Sequence, residues 1–337
     1  MEVSCYLVNQ QQSDKEKPVY DSRVEEAVLY SGAAEGPKNG RAYWVSADDG
    51  TRLRIGHWEA ERRERGTVFL FPGRSEYIEI YGRMARDLEY LGYSTFVIDW
   101  RGQGLSDRAT EDRRAGHVDS FEDYQRDVRV MVSAAKKLRL PKPWFLLAHS
   151  MGACIGTRSM QQNVLDVEAC IFTAPMFDIH LSVIERLVVG PLTWIFDALG
   201  KRHSYAPGCS GNNYAQTVEF DDNRLTNEKG MYQYWVEQAN IHEDLLIGGP
   251  TMGWLRAALQ ETKILRSIPT PDVPCIAYCG DEDVIVDERA MRDCLENWSS
   301  GVLKHIEGAK HELLFERKST RSRIINDLQV FFVPRKV

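Results

Sequence analysis

Trp144-Phe145-Leu146-Leu147-Ala148-His149-Ser150-Met151-Gly152-Ala153-Cys154-Ile155-Gly156 is the stretch that decides the fold. An apolar run of strand type leads into small-x-Ser-x-Gly, and a run of small, helix-compatible residues follows. That order is the pattern of a nucleophile elbow, a turn so sharp that only small side chains fit two positions before and after the serine. The serine hydroxyl then stands above the sheet at a helix N-terminus. Ala148 takes the first small position, where glycine is usual; the smallest side chain with a Cβ predicts a turn that survives with slight strain. Taken alone, a serine after a strand is as readily a helix N-cap. The elbow gains chemical meaning only if a base and an acid follow it, because a serine hydroxyl needs activation by a neighbouring base.

Both follow, in the order Ser, acid, His. Pro274-Cys275-Ile276-Ala277-Tyr278-Cys279 reads as a buried strand ending in Gly280-Asp281-Glu282-Asp283. Val302-Leu303-Lys304-His305-Ile306 reads as another, ending in Glu307-Gly308-Ala309-Lys310-His311. Ser150, Asp283 and His311 thus keep the chain order of α/β-hydrolase triads. His311 would take the serine proton and Asp283 would hold the imidazole in the working tautomer. Asp281, Glu282 and Asp287 share the acid's loop as rivals; Asp283 is preferred because it stands one step beyond a tight turn and an apolar run resumes after it. His149 abuts the serine, where a packing role is the simpler reading. For the oxyanion, one donor is expected from the Met151 N–H. The other is expected from the Arg74 N–H, in the loop Pro72-Gly73-Arg74-Ser75-Glu76 after the strand Thr67-Val68-Phe69-Leu70-Phe71.

With these motifs in place, the chain resembles α/β-hydrolases of the monoacylglycerol lipase and bacterial lysophospholipase group, also described as serine-aminopeptidase-like. Asp99-Trp100-Arg101-Gly102-Gln103-Gly104-Leu105-Ser106 is similar to that group's D-x-R-G-x-G-x-S turn. Gly116-His117-Val118-Asp119-Ser120-Phe121-Glu122-Asp123-Tyr124 is similar to its G-H-x-x-S-F-x-D-Y segment, and Gly308-Ala309-Lys310-His311 to its G-x-x-H segment. Asn223-Arg224-Leu225-Thr226 and Gly248-Gly249-Pro250-Thr251 resemble the lysophospholipase branch. The matches run from about Arg41 to Val333. The chain departs from the group at Pro72-Gly73-Arg74-Ser75-Glu76-Tyr77, where H-G-x-x-E-H is usual, and at Ala148. The resemblance implies a serine hydrolase acting on a lysophospholipid or monoacylglycerol, with no metal or organic cofactor.

The rest of the chain fits one α/β core with an insertion. Strands at 68–71, 94–99, 144–148, 169–173, 275–279 and 303–306 alternate with helical runs such as 77–91 and 121–138, which predicts a mostly parallel sheet covered by helices on both faces. Ser150, Asp283, His311 and Arg74 all fall after the carboxyl ends of strands, where such sheets bind ligands. Asp48-Asp49-Gly50 between two apolar runs predicts a hairpin. Residues 1–40 form an N-terminal extension, loose or docked; 41–176 and 268–337 form the core; 177–267 form a helical lid after the sixth expected strand. Within the lid, Leu192, Trp194, Phe196, Trp235 and Trp254 are the expected substrate-binding residues, an apolar wall for an acyl chain with a membrane-facing edge.

Composition narrows the alternatives. At 337 residues and 43% hydrophobic, the chain can bury a large core, and its formal net charge of −7, without a basic stripe, argues against nucleic acid. Arg62-Arg63-Glu64-Arg65 is short and expected to be solvated. Seven cysteines without paired spacing fit a reducing compartment. Met1-Glu2-Val3-Ser4-Cys5 lacks the features of a signal peptide, and no run reaches the ~18 apolar residues of a membrane span. Together these predict a cytoplasmic protein that touches membranes at its surface. Three other readings remain open: a short-chain carboxylesterase, a small-substrate aminopeptidase using Glu185, Glu219, Asp221 and Asp222 as an acidic recess, and a binding protein on a hydrolase scaffold. The oligomeric state is not legible.

Overall fold

A computed structural model describes residues 24–61 and 65–333. The signal-peptide test at Met1–Cys5 and most of the Arg62–Arg65 cluster therefore lie outside the described residues. Among the described residues, nine strands form one sheet in the order β1-β2-β3-β5-β4-β6-β7-β8-β9. They are β1 (Glu25–Ala27), β2 (Arg41–Ser46), β3 (Arg52–Trp58), β4 (Thr67–Phe71), β5 (Ser94–Asp99), β6 (Trp144–His149), β7 (Cys170–Thr173), β8 (Cys275–Gly280) and β9 (Gly301–Ile306). The first three pair antiparallel, β3 meets β5 antiparallel, and every pairing from β5 through β4 to β9 is parallel.

Helices cover both faces. In chain order they are α1 (Ser31–Ala34), α2 (Gly82–Leu91), α3 (Phe121–Lys137), α4 (Met151–Gln161), α5 (Val183–Ala198), α6 (Tyr214–Thr217), α7 (Lys229–Ile241), α8 (Met252–Ser267), α9 (Glu288–Glu296) and α10 (Lys318–Phe331). The period-two alternation of the strands divides the core. Phe69, Phe71, Leu146, Ala148, Cys275, Ala277 and Cys279 face α3, α4, α8 and α9. Val68, Leu70, Phe145, Leu147, Ile276 and Tyr278 face α2 and α10. The cysteines of β8 are thus small core side chains, and all six cysteines among the described residues are free.

One feature decides between alternatives the sequence left open, and two differ from the sequence reading. The described part of the N-terminal extension is docked: β1 adds a strand to the sheet edge, and Tyr234 Oη and Gln238 Nε2 of α7 donate to the carbonyls of Ala34 and Ala33 at 2.7 and 2.8 Å. The insertion consequently follows the seventh strand. At its far end, α8 buries Trp254, Ala257, Ala258 and Leu265 in the same core as α3 and α4. Finally, the helical run expected over 77–91 begins as a 3-10 turn, Ile78–Tyr81, before α2.

The turn after β5 gives the D-x-R-G-x-G-x-S motif a physical basis. Asp99 Oδ1 accepts from the Ile78 N–H at 2.9 Å, while Oδ2 accepts from the Leu105 N–H at 2.8 Å and from Arg54 Nε at 2.7 Å. Gly104 has φ +52°, and a Cβ there would fall 2.1 Å from that carboxylate. The buried Arg54 also meets Glu79 at 2.7 Å, so one ion-paired cluster braces the loop after β4. Trp100 Nε1 donates to the Pro72 carbonyl at 2.9 Å and fixes the same loop from the other side.

Candidate active site

Ser150 has φ 48° and ψ −116°, a positive φ that non-glycine residues rarely adopt. The turn holds it there: its N–H donates to the Thr173 carbonyl at 3.0 Å, and its own carbonyl accepts from the Ala153 and Met176 N–H groups at 3.1 Å each. The strain sits at the serine itself, not at Ala148, which remains a regular member of β6 opposite Phe71 and Phe172. Glycine is needed at 152, where a Cβ would lie 2.2 Å from the Phe71 carbonyl oxygen.

His311 Nε2 lies 3.0 Å from Ser150 Oγ, and His311 Nδ1 lies 2.7 Å from Asp283 Oδ2. The three residues named from sequence therefore form one hydrogen-bonded chain across the ends of β6, β8 and β9. Burial opposes ionisation of Asp283, but the His311 ring and the N–H groups of Ile285 and Val286 outweigh it and hold the carboxyl below its ordinary value. The rival acids have other partners. Asp281 Oδ1 accepts from the Gly308 N–H at 2.7 Å, Glu282 takes the Asn227 amide at 2.9 Å, and Asp287 caps α9 through the Ala290 N–H.

Of the expected oxyanion donors, Met151 adjoins the serine in the chain and Arg74 lies in the loop after β4. Met151 opens α4, so its N–H is one of the first four in the helix and has no intrahelical acceptor. Arg74 follows Gly73, whose hypothetical Cβ would lie 2.8 Å from the His149 ring. The insertion reaches this centre through the Asn-Arg-Leu-Thr segment: the Leu225 carbonyl accepts from the Glu312 N–H at 2.8 Å, Thr226 Oγ1 donates to the Phe315 carbonyl at 2.8 Å, and Lys310 Nζ donates to the Asn223 carbonyl at 2.7 Å. The histidine loop is thereby shaped by the insertion. His117 similarly ties the Gly116–Tyr124 segment to Thr251, Nδ1 to Oγ1 at 2.7 Å.

Sequence reasoning missed a second layer. Behind the triad, His149 Nε2 meets Glu312 Oε2 at 3.1 Å, its Nδ1 faces the Thr173 carbonyl at 3.1 Å, and its ring lies 4.8 Å from that of His311. Glu76 accepts from Tyr81 Oη at 2.6 Å and from the Gly73 N–H. Burial disfavours an imidazolium at His149, yet Glu312 and Glu76 overcome this and push its pKa up to about 9. Burial, reinforced by the Glu312 charge, raises Glu76 well above the carboxylate range. The visible signal was the adjacency of His149 to Ser150 and of Glu312 to His311; their contact required the fold. Both raised groups act with one sign: their contribution to stability is complete below their unfolded pKa values and is lost as pH rises through the folded ones. The melting temperature should therefore fall between about pH 6.5 and 9, and Glu76→Gln should flatten that decline. A wild-type curve that is level or rising across this window contradicts the assignment.

The expected lid residues divide. Trp235 is buried and stacks on Phe315 at 6.3 Å between ring centroids. Trp254 is buried against Phe121 at 6.0 Å and lies under the Arg74 guanidinium. Both use their apolar area against the body. Leu192 and Phe196 on α5 are half-buried, whereas Trp194 is 63% exposed and borders a cavity of about 300 Å³ with Leu181, Thr193 and Leu259. Ile184 and Leu187, 76% and 72% exposed, lie on the same helix, and the cavity is also lined by Asp178, Arg186, Arg256 and Lys263. Glu185, Glu219, Asp221 and Asp222 are all exposed, and Glu185 accepts from the Ser182 N–H as a helix cap. Among the described residues, no helix is long and apolar enough to cross a membrane.

A mostly parallel sheet with Ser, Asp and His meeting beyond its carboxyl ends defines an α/β-hydrolase, an ester-hydrolysing enzyme. Residues 62–318 match the family model described as serine aminopeptidase, S33, and the chain belongs to that family, within its monoacylglycerol lipase and lysophospholipase group. It is 30% identical to lysophospholipase L2 of Escherichia coli (strain K12) over 302 residues, covering 86% of each chain. It is 26% identical to a probable lysophospholipase L2 of Haemophilus influenzae, covering 81% of this chain and 85% of that one. Among solved structures, a soluble variant of monoglyceride lipase from Saccharomyces cerevisiae shares the fold with a TM-score of 0.65 at 19% identity, covering 84% of this chain and 92% of that one.

Proposed function

We propose that the protein hydrolyses the carboxylic ester of a monoacyl lipid, a lysophospholipid or a monoacylglycerol, through an acyl-enzyme on Ser150. The hydrogen-bonded chain Ser150–His311–Asp283 carries this reading. His311 Nε2 removes the Ser150 proton as Oγ attacks the ester carbonyl. The Met151 and Arg74 N–H groups receive the oxyanion, and Asp283 supports the imidazolium. Collapse of the tetrahedral species breaks the bond to the glycerol oxygen, which takes the proton from His311. Water, deprotonated by His311, then attacks the acyl-enzyme and releases the fatty acid. The mechanism requires no metal or organic cofactor.

The lipid substrate is supported by the lysophospholipase and monoglyceride lipase relatives and by the apolar surface of α5. Fatty acid release should be measured from a lysophospholipid, a monoacylglycerol and a short-chain ester in parallel. Release from either lipid is expected; turnover of the short ester alone favours the second reading, a short-chain esterase, for which the packing of Trp235 and Trp254 into the body is the specific support. The aminopeptidase reading is weakened by the exposure of its four candidate carboxylates. The exposed residues Ile184, Leu187 and Trp194 further support peripheral contact with a lipid surface. Leu187→Asp combined with Trp194→Ser should lower cosedimentation with phosphatidylglycerol vesicles at least severalfold, and equal binding by the double variant would remove α5 from that role.

A further inference from the structure

Two arginines packed against the core are paired with carboxylates. Arg54 pairs with Glu79 and Asp99, and Arg101 with Asp49 and Asp127, each at 2.7 Å. Arg74 differs. Its Nη2 donates to the Gly248 carbonyl at 2.8 Å and its Nη1 to Ser75 Oγ at 3.0 Å, while its Nε is buried without a hydrogen-bond partner. The guanidinium carbon lies 5.2 Å from the Trp254 ring centroid, and Gly116 approaches so closely that a Cβ there would fall 2.1 Å from Nη2. Among the described residues, no carboxylate pairs with it within 4.0 Å; its acceptors are the Gly248 carbonyl and Ser75 Oγ. Desolvation pushes its pKa down to about 10, which leaves it a cation at neutral pH. The residue as a whole is half-buried.

A desolvated cation held by neutral acceptors is costly unless an anion completes it. A guanidinium matches phosphate oxygens with two parallel N–H donors. The location specifies where that anion belongs, because Arg74 is also the residue whose backbone N–H is assigned to the oxyanion. An anion reading this side chain is therefore tethered to the ester being cleaved. We propose that the Arg74 guanidinium receives the phosphate of a lysophospholipid head group and so selects phosphate-bearing monoacyl esters over uncharged ones. This inference rests on the lipid-ester reading above and names the charge of the substrate.

The test compares 1-oleoylglycerol with 1-oleoyl-glycerol-3-phosphate, which share acyl chain and ester, in the same detergent micelles. Wild type is expected to show the higher kcat/KM on the phosphate-bearing lipid. Because any residue but proline keeps the backbone N–H, Arg74→Gln isolates the side chain, and the ratio of the two kcat/KM values should fall at least tenfold. Arg74→Lys, a point charge without the fork, should give an intermediate ratio and carries the comparison if the glutamine variant does not fold. An equal loss on both lipids would make the guanidinium a staple between the Gly248 backbone and the loop after β4, overturning the proposal. Competitive inhibition by inorganic phosphate without any preference for the lysophospholipid would assign the site to free anion and overturn the head-group role. Wild-type turnover of the uncharged lipid alone overturns the phosphate site and leaves ester hydrolysis standing. Silence on both lipids overturns both readings.

Discussion

Ser150→Ala is expected to lower ester hydrolysis by on the order of 10^4 to 10^6 in kcat, with little change in the melting temperature. The loss follows from geometry: Ser150 Oγ is the group 3.0 Å from His311 Nε2, and the neighbouring residues of the elbow are aliphatic, sulfur-bearing or the paired His149. Stability should hold because alanine meets the same positive-φ cost as serine, and the backbone bonds from Thr173 and Met176 that impose the turn remain. Residual activity within tenfold of wild type would remove Ser150 from the role of nucleophile. Circular dichroism and thermal melting of the same preparation separate a chemical loss from a misfolded one.

The second large effect lies at the acid. Asp283→Asn should cost about 10^4 in kcat, because an amide offers His311 Nδ1 the wrong hydrogen-bond partner and favours the wrong tautomer. Asp281→Asn should cost less than about tenfold: its role is to accept the Gly308 N–H, which an asparagine carbonyl can also do. The two variants lie two residues apart in one loop and differ by three orders of magnitude in expected effect. A larger loss at 281 than at 283 would reverse the assignment of the acid.

The elements that carry these residues were legible because their sequence signals are local. Apolar runs gave the parallel strands within one or two residues, and the elbow with its glycine at 152 reports a steric need that can be read from spacing, while the turn after β5 was legible through the family resemblance. The choice of Asp283 over its loop neighbours came from its step beyond a tight turn, and it is the one that meets His311. What escaped was non-local. The pairing of His149 with Glu312 joins residues from β6 and the final loop, and each by itself reads as a bland neighbour of a catalytic residue. The burial of Trp235 and Trp254 depends on Phe315, Phe121 and Arg74, which are far apart in the chain. An aromatic stripe on an inserted helix reads alike whether it faces substrate or the body. The third strand-like element of the sheet edge, β1, is three residues long and gains its pairing only from β2. Arg74 was chosen for its backbone; nothing local indicated that its side chain would stand without a carboxylate.

Covalent trapping addresses the central claim most directly. The enzyme would be mixed with a p-nitrophenyl ester, quenched in acid during the first turnover, digested and mapped by mass spectrometry. An acyl mass on the peptide containing Ser150, absent from Ser150→Ala, is the predicted result. Nitrophenol release with the acyl group on another residue, or with no acylated peptide at any quench time, would contradict an acyl-enzyme on Ser150.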